Sequence, residues 1–370
     1  MSQRKLLFTP GPLSTSMTVK EAMLEDWGSR DFAFMNAVKE IRTGLLELAH
    51  VSKEQGYECV IMQGSGTFAV ESVISSAVGK NDVLLVLVNG AYGERIIKMA
   101  DIHQLNHLVI RFEEDEIVTA DAAEKILQHH PEITHVACIH CETTTGLINP
   151  VTAIGVICKK YNKVFVVDAM SSFGGMEMNM IEMQIDFLVS SSNKCIEGVP
   201  GFAFALCKTA ALEKAKGQAR SLSLALYEQW DGLESNGQFR FTPPTISIMA
   251  FRQALKELHE EGGVKARENR YKTNKQILDA GMAKLGFKQY LRPEIQGHII
   301  TSFLYPKDTS FHFETFYNQL NMRGFVIYPG KLSKSDAFRI GNIGQIFPED
   351  VKALIAAVKE VLEEEKVIVG

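Results

Sequence analysis

The chain of 370 residues has no long apolar segment. Its longest runs, such as VLLVLV at 83–88, are far too short to cross a bilayer. The N-terminal stretch MSQRKLLFTPGPLS has a short apolar run interrupted by two prolines, and it lacks the apolar core of a signal peptide. We therefore expect a soluble cytoplasmic protein that is not a membrane partner.

The charge and the cysteines exclude further classes. The net charge of −5 is mild and spread along the chain, so it gives no reason to expect a nucleic-acid partner. The six cysteines follow no secreted framework. Cys138 and Cys141 form a C-x-x-C, but no second ligand pair stands at a zinc-like spacing. We expect core cysteines and no metal.

The first two thirds of the chain alternates apolar strand segments with helical segments. The helical period is clearest where apolar residues fall at positions 34, 38, 41, 45 and 48. The strand segments are ECVIMQ, DVLLVLV, THVACIH, KVFVVD and DFLVSS. Continuous apolar strands separated by helices predict an α/β fold with a parallel sheet covered on both faces. Past about Pro244, long polar helices mixed with two strands predict a smaller α+β domain.

The ends of the strands carry the candidate site, because ligands of such sheets bind beyond the carboxyl ends of the strands. Gly64, Ser65, Gly66 and Thr67 follow ECVIMQ and open a helix. This pattern is typical of a phosphate cup, in which free N–H groups face the anion, although an N-capped turn explains it as well. It is not a P-loop, because no Gly-Lys-Ser/Thr follows.

Two further strand ends offer a ring and hydroxyl groups. Tyr92 lies between two glycines after VLLVLV, where it could stack on a flat cofactor or pack on the next helix. Residues 143–145 are three threonines after THVACIH, which either bind a ring substituent or cap a helix.

The last two strand ends carry an acid and an amine. Asp168 ends KVFVVD, and it is either paired with an arginine or the counter-ion of a protonated ring nitrogen. Lys194 follows DFLVSSSN, 26 residues later; alone it could be a surface lysine, but in a pocket it could form a Schiff base. The five strand ends together match the phosphate, ring face, ring oxygen, ring nitrogen and aldehyde of pyridoxal 5'-phosphate (PLP).

Several sequence blocks carry a family resemblance. They are the N-terminal block 6–31, QGSGTFAVES, CETTTGLINP, VDAMSSFGG, SSSNKCIEGVPGF and FRIGNIGQI. With these blocks, which span nearly the whole chain, the protein resembles the class V aminotransferase group of the fold-type I PLP enzymes. The resemblance implies a homodimer with active sites at the interface and a large domain with a mainly parallel seven-stranded sheet. It also implies the division into residues 1–15 near the active site, a PLP-binding domain 16–245 and a small α+β domain 246–370.

The resemblance also implies roles for single residues. Lys194 matches the Schiff-base lysine and Asp168 the partner of the ring nitrogen. The other cofactor contacts that it implies are Ser65, Gly66 and Thr67 at the phosphate, Tyr92 over the ring, Thr145 at the ring oxygen, and Thr242 from the other subunit. Ser192 or Asn193, which precede Lys194 in the sequence, is a further candidate near the phosphate.

The N-terminal block resembles the branch of the group that moves the amino group of 2-aminoethylphosphonate to pyruvate. Arg339 then matches the arginine that holds the acid group of the substrate. Arg30, and Ser14 or Ser16, are candidates for further phosphonate contacts, with a loop arginine and turn serines as the alternative interpretation. An alanine–glyoxylate or serine–pyruvate type aminotransferase is the alternative function.

Two other interpretations are disfavoured. A cysteine desulfurase needs a nucleophilic cysteine in the later part of the chain, and no cysteine follows Cys207. A non-catalytic scaffold would have no use for both Lys194 and Asp168.

Overall fold

The computed structural model describes residues 5–369 of the chain. The strands are β1 (Leu6–Leu7), β2 (Tyr57–Gln63), β3 (Val83–Val88), β4 (Asn106–Arg111), β5 (His135–Ile139), β6 (Cys141–Glu142), β7 (Leu147–Ile148), β8 (Val164–Asp168), β9 (Phe187–Ser191), β10 (Phe202–Lys208), β11 (Ile300–Leu304), β12 (Phe325–Val326), β13 (Tyr328–Pro329) and β14 (Ala337–Gly341). The helices are α1 (Met17–Glu21), α2 (Phe32–Leu48), α3 (Gly66–Ala77), α4 (Ala91–Ile102), α5 (Ala120–His129), α6 (Val151–Lys160), α7 (Thr209–Lys214), α8 (Leu226–Ser235), α9 (Thr245–Glu261), α10 (Gly263–Lys284), α11 (Phe313–Met322) and α12 (Pro348–Glu364).

A seven-stranded sheet forms the centre of the molecule, in the order β2-β10-β9-β8-β5-β3-β4. β10 is antiparallel to both of its neighbours, whereas the other pairs are parallel. Six strands therefore run in one direction, and the predicted α/β fold with a mainly parallel sheet is confirmed. The carboxyl ends of β2, β3, β5, β8 and β9 meet at one edge of the sheet.

Helices cover both faces of this sheet, as its apolar strands require. α2 begins at the N-cap Asp31, whose carboxylate accepts a hydrogen bond from the N–H of Ala33 (2.9 Å). The apolar period of α2 buries Phe34, Ile41 and Leu45 in the core on one face of the sheet. A second core, which includes the apolar residues of α3 and α4, covers the other face.

The C-terminal part builds a smaller sheet in the order β11-β14-β13, covered by α10, α11 and α12. The N-terminal segment joins this part, because β1 pairs in parallel with β12 and Phe8 is fully buried in the same core. Phe251 of α9, by contrast, packs against Phe202 of β10 with the ring centroids 5.1 Å apart. The division at residue 245 remains a prediction. In residues 5–369 no helix is long and apolar enough to span a membrane.

Candidate active site

The edge where the parallel strands end brings Lys194 and Asp168 together. Asp168 is the last residue of β8, and Lys194 follows the neighbouring strand β9. The two side chains are close enough for their charges to affect each other's pKa. An acid and an amine that are 26 residues apart in the sequence therefore share one site.

The Lys194 side chain lies beneath the N-terminal segment. Its Nζ donates a hydrogen bond to the carbonyl oxygen of Pro10 (2.6 Å). Burial lowers the pKa of the Lys194 amine to about 8, while the nearby Cys195 and Asp168 act to raise it. A large share of this amine is therefore neutral at slightly alkaline pH, as an amine that attacks a carbonyl must be.

Gly11 makes this close contact possible. Its φ of +117° is unfavourable for residues with a side chain, and a Cβ there would lie 2.7 Å from Lys194 Nζ. We expect Gly11→Ala to reduce the free energy of unfolding by at least about 1 kcal/mol and to weaken retention of PLP. Thermal unfolding, and PLP absorbance after gel filtration, measure the two effects.

Gly217→Ala is the matched control for this substitution. Gly217 also has a positive φ (+70°), but nothing lies within 4 Å of the position that a Cβ would take there. It should carry a smaller backbone penalty, because +70° lies at the edge of the left-handed helical region, and it should retain PLP normally. Equal PLP retention in the Gly11 and Gly217 variants would contradict a role for the Gly11 contact with Lys194.

Asp168 is a buried carboxylate, 7% exposed. Burial raises its pKa to about 6, against the opposing effects of the Met170 N–H and of the cations Arg95 and Lys194. The Met170 N–H donates to Oδ1 at 2.9 Å. The alternative interpretation of this acid was a salt bridge to an arginine, and within residues 5–369 no arginine forms a salt bridge with Asp168.

The predicted phosphate cup lies at the start of α3. Ser65 is the N-cap, is exposed, and makes no side-chain capping bond, so its hydroxyl does not satisfy the first N–H groups of the helix. At Gly66 a Cβ would lie 2.2 Å from the sulfur of Met170, so a larger residue there would have to displace the Met170 side chain. The hydroxyl of Thr67 accepts a hydrogen bond from Arg95 (3.1 Å). The cup therefore has a cation beside it.

Tyr92 lies in the first turn of α4, close to two cations. The Arg95 guanidinium carbon is 4.7 Å and the Lys331 Nζ 5.7 Å from its ring centroid. Arg95 stands three residues after Tyr92, about one helical turn further along α4. It therefore contacts both the Tyr92 ring and Thr67 of the cup, and its charge acts to lower the pKa of Asp168.

Glu142 is a buried residue that the sequence pattern did not single out. It is 0% exposed, and its carboxylate accepts hydrogen bonds from the backbone N–H and the hydroxyl of Thr144 (3.1 and 2.5 Å) and from the N–H of Tyr92 (3.2 Å). Burial raises the pKa of this carboxyl. Glu142 thereby ties the threonine loop to the start of α4. Thr145 is fully buried beside it, and its hydroxyl accepts from the Leu147 N–H (3.3 Å).

Arg339, in β14, is a buried cation, 2% exposed. It donates through Nε to the carbonyl of Pro329 (3.0 Å) and through a terminal N–H to the carbonyl of Thr143 (2.8 Å). Among residues 5–369 no carboxylate lies within salt-bridge distance of it, and burial lowers the pKa of its guanidinium. A buried cation without an anion is costly, so the site favours an anionic ligand.

Comparisons with known proteins agree with this arrangement. The model of the family "Aminotransferase class-V" matches residues 22–332. The chain belongs to the class-V aminotransferases. It is 53% identical over 354 residues to the 2-aminoethylphosphonate–pyruvate transaminase of Bacillus cereus, covering 95% of this chain and 96% of that protein. The protein of the same name from Bacillus anthracis is 52% identical over the same shares.

Solved structures show the same fold for this aminotransferase. The pyridoxamine–pyruvate aminotransferase of Mesorhizobium loti superposes with a TM-score of 0.89 at 24% identity, covering 99% of this chain and 93% of that one. The alanine–glyoxylate aminotransferase of Nostoc sp. gives a TM-score of 0.90 at 24% identity, over 98% and 96%. At this identity the likeness concerns the fold alone.

Some predicted site residues of the aminotransferase have other partners. Ser192 is buried, and its hydroxyl contacts the carbonyls of Val199 (2.6 Å) and Phe202 (2.9 Å). The hydroxyl of Ser14 accepts from the N–H of Leu7 (2.9 Å). Both hydroxyls form hydrogen bonds to nearby backbone groups, and their roles in binding remain predictions.

Arg30 and Thr242 are exposed, and neither contacts Lys194 or Asp168. Thr242 follows Phe241, whose carbonyl accepts a hydrogen bond from Gln63 at the end of β2 (2.9 Å). Its loop therefore lies at the sheet edge that carries the cup. Cys138 and Cys141 are buried, and no group of three metal-ligating side chains forms within residues 5–369.

A buried ionic network supports the Lys194 turn. Glu197 donates its N–H to the Lys194 carbonyl (2.7 Å), and its carboxylate accepts from Arg270 (2.8 Å) and Tyr271 (2.6 Å). Arg270 also donates to the carbonyl of Gly344, beyond the end of β14 (2.6 Å). The strand that carries Arg339 is thereby connected to the turn that carries the amine.

Proposed function

We propose that this aminotransferase binds PLP and moves the amino group of 2-aminoethylphosphonate to pyruvate, giving phosphonoacetaldehyde and L-alanine. The observation that carries the substrate pair is the 53% identity, over 95% of the chain, to a transaminase of that name. A place in the degradation of phosphonates follows from this pair of substrates.

The residues present fit PLP. A phosphate needs free N–H groups and nearby positive charge, which the uncapped start of α3 and Arg95 supply. An aldehyde needs an amine with a lowered pKa, which Lys194 supplies, and a ring nitrogen needs a buried carboxylate, which Asp168 supplies. Tyr92 can cover the ring, and Thr145 lies on the loop beside it. When bound, PLP supplies an electron sink for the carbon that loses its proton.

Lys194 and Asp168 divide the work of the reaction. The free amine of Lys194 takes the proton from the amine-bearing carbon of the substrate and returns a proton as a general acid. Asp168 has its pKa raised by burial to about 6, and its ionised carboxylate would stabilise the protonated form of the ring nitrogen when PLP is bound. The Met170 N–H fixes the carboxylate in place.

Arg339 is proposed to hold the acid group of both substrates. Its planar guanidinium can form two parallel hydrogen bonds to a carboxylate or to a phosphonate, so one residue can serve pyruvate and the amine donor. The Nε–H donates to Pro329 and a terminal N–H donates to Thr143, which fixes the plane of the group.

We expect Arg339→Lys to raise KM for both 2-aminoethylphosphonate and pyruvate by about 10-fold or more, because lysine cannot form the paired hydrogen bonds. Steady-state kinetics with each substrate varied in turn measure the effect. Arg323→Lys is the control, since Arg323 binds Glu364 through a terminal nitrogen at the surface (2.6 Å). Unchanged KM values in the Arg339 variant would exclude the residue from substrate binding.

A homodimer with the active site at its interface is part of the proposal. Phe68, one residue after the cup, and Phe241, next to Thr242, are exposed (50% and 44%). Ile246 is also exposed (40%). Apolar side chains at the mouth of the site suit a surface that a second subunit covers, from which Thr242 would reach the other cup. A cytoplasmic location is supported by six cysteines that are all free and buried.

One assay tests the function. The purified protein with PLP is incubated with 2-aminoethylphosphonate and pyruvate, and phosphonoacetaldehyde and L-alanine are quantified. We expect equal amounts of both products and little turnover with L-serine as donor or glyoxylate as acceptor. Efficient turnover with L-alanine and glyoxylate, and none with the phosphonate, would instead establish an alanine–glyoxylate type enzyme.

A further inference from the structure

The connection between β13 and β14 reaches from Arg339 to Tyr92. Pro329, at the end of β13, accepts a hydrogen bond from Arg339, and the N–H of Gly330 donates to the Ala337 carbonyl (2.9 Å). Lys331 is the next residue, and its Nζ lies 5.7 Å from the ring centroid of Tyr92. The side chain of Tyr92 is in turn close to Arg339. Lys331 and Arg339 therefore approach the same tyrosine.

The rest of this connection, residues 332–336, contacts the segment that follows β4 of the large sheet. The N–H and the hydroxyl of Ser333 both donate to one carboxylate oxygen of Glu114, each at 3.0 Å. Lys334 forms an ion pair with Glu113. Because of these contacts on the far side of Lys331, the connection lies across the site.

Lys331 differs from Lys334 in having no anionic partner. Among residues 5–369, no carboxylate lies within 4 Å of the Lys331 amine. Four cations, Lys194, Arg95, Arg339 and Lys331, thus surround the cleft, and its carboxylates are Asp168 and Glu142. Because Arg95 is proposed to serve the cofactor phosphate and Lys194 its aldehyde, Arg339 and Lys331 are the two cations left for the substrate.

We propose that Lys331 is a specificity-determining residue that binds the phosphonate of the amine donor, as a second cation beside Arg339. This inference rests on the proposed function and deepens it. According to this proposal, the phosphonate binds both Arg339 and Lys331, whereas the carboxylate of pyruvate binds Arg339 alone.

The chemistry of the two acid groups explains the separation. A phosphonate has three oxygens and carries about one to two negative charges near neutral pH, whereas a carboxylate has two oxygens and one charge. The fork of Arg339 takes two oxygens of either group. The third phosphonate oxygen is left for another donor, and the lysine ammonium is a point charge on a flexible stem that can reach it.

The test compares two amine donors, 2-aminoethylphosphonate with pyruvate as the acceptor and L-alanine with phosphonoacetaldehyde as the acceptor, each at a saturating concentration of its acceptor. We expect Lys331→Ala to raise KM for 2-aminoethylphosphonate about 10-fold more than KM for L-alanine, since a hydrogen bond to a charged group is lost for the phosphonate alone. Lys331→Arg keeps a cation at this position, so KM for 2-aminoethylphosphonate should stay close to the wild-type value. Lys98→Ala is the matched control. Lys98 is exposed, as Lys331 is, and lies on α4, the helix that carries Tyr92; its substitution should leave both KM values unchanged.

Binding of unreactive ligands gives a readout that is independent of turnover. Calorimetry of the holoenzyme with ethylphosphonate and with propionate should show that Lys331→Ala weakens the phosphonate about 10-fold and propionate much less. Glu114→Ala, which removes the acceptor of Ser333, should weaken ethylphosphonate in the same direction, since Lys331 is then less well positioned.

The possible failures can be told apart. If the wild-type protein does not turn over 2-aminoethylphosphonate, the proposed function is wrong. If it does, and Lys331→Ala changes both donors and both ligands equally or not at all, the proposed function stands and the role of Lys331 is overturned.

Discussion

Lys194→Ala is expected to abolish transamination, with a loss of at least about 10⁴-fold in kcat. The variant loses both the amine that bonds to the PLP aldehyde and the group that moves the substrate proton, and each of these contributes several orders of magnitude. The lowered pKa of about 8 makes Lys194 suited to both tasks. The activity assay measures the loss, and the visible absorbance of the holoenzyme should lose the band of lysine-bound cofactor.

A covalent readout separates this loss from misfolding. After reduction with borohydride and digestion, the cofactor should be found on the peptide that contains Lys194 in the wild type and on no peptide in the variant. Thermal unfolding should change little, because the side chain has one hydrogen bond, to Pro10. Lys208→Ala is a control at the far end of β10, where Lys208 lies 3.9 Å from Asp186. Cofactor found on another lysine would overturn the assignment.

The sequence predicts the sheet well because its strands are continuous apolar runs. The strands that end at Gln63, Val88, Ile139 and Asp168 lie within one or two residues of the expected segments. The sequence does not predict the antiparallel direction of β10. FAFALC is fully buried, and such a run pairs in either direction, so only the turn after Lys194 and the tertiary fold decide its orientation.

The site is predictable only where strand ends position it. Asp168 and Lys194 follow neighbouring strands, so the topology alone brings them together. Arg95 could have been found from its helical spacing to Tyr92. The contact of Pro10 with Lys194 joins residues 184 apart, and no local pattern indicates it.

Burial also changes what a polar residue does. A buried hydroxyl needs a hydrogen-bond partner, and the hydroxyl of Ser192 contacts the carbonyls of Val199 and Phe202, while its place near the phosphate remains a prediction. Glu142 looked like one more polar residue of a loop. Its carboxylate instead accepts hydrogen bonds from a backbone N–H of the threonine loop and from one in the first turn of α4, which a sequence pattern does not reveal.

Asp168→Asn is expected to reduce kcat by several orders of magnitude and, in the cofactor-free protein, to increase stability. The catalytic loss follows because a neutral amide cannot keep the ring nitrogen protonated. The fold should persist, since the asparagine oxygen can still accept the hydrogen bond from Met170. The same assay as for Lys194→Ala measures the loss of activity.

The gain in stability depends on pH, and its sign follows from the raised pKa. Asp168 has a pKa of about 6 in the folded protein and 3.8 when unperturbed, so the folded state binds more protons between these values. Its contribution to stability is complete below pH 3.8 and is lost as the pH rises through 6, a loss of about 3 kcal/mol by pH 7. Asparagine does not titrate, and it avoids this loss.

Denaturant unfolding of the two cofactor-free proteins from pH 4.5 to 7.5 tests this linkage. The variant should become more stable relative to the wild type as the pH rises, with the smallest difference at pH 4.5. Bound PLP should reduce the difference, because the wild-type carboxylate then faces a positive ring nitrogen. A difference that is independent of pH would contradict the raised pKa. The expected result would mean that the protein sacrifices stability in its cofactor-free state to keep a buried negative charge where catalysis requires it.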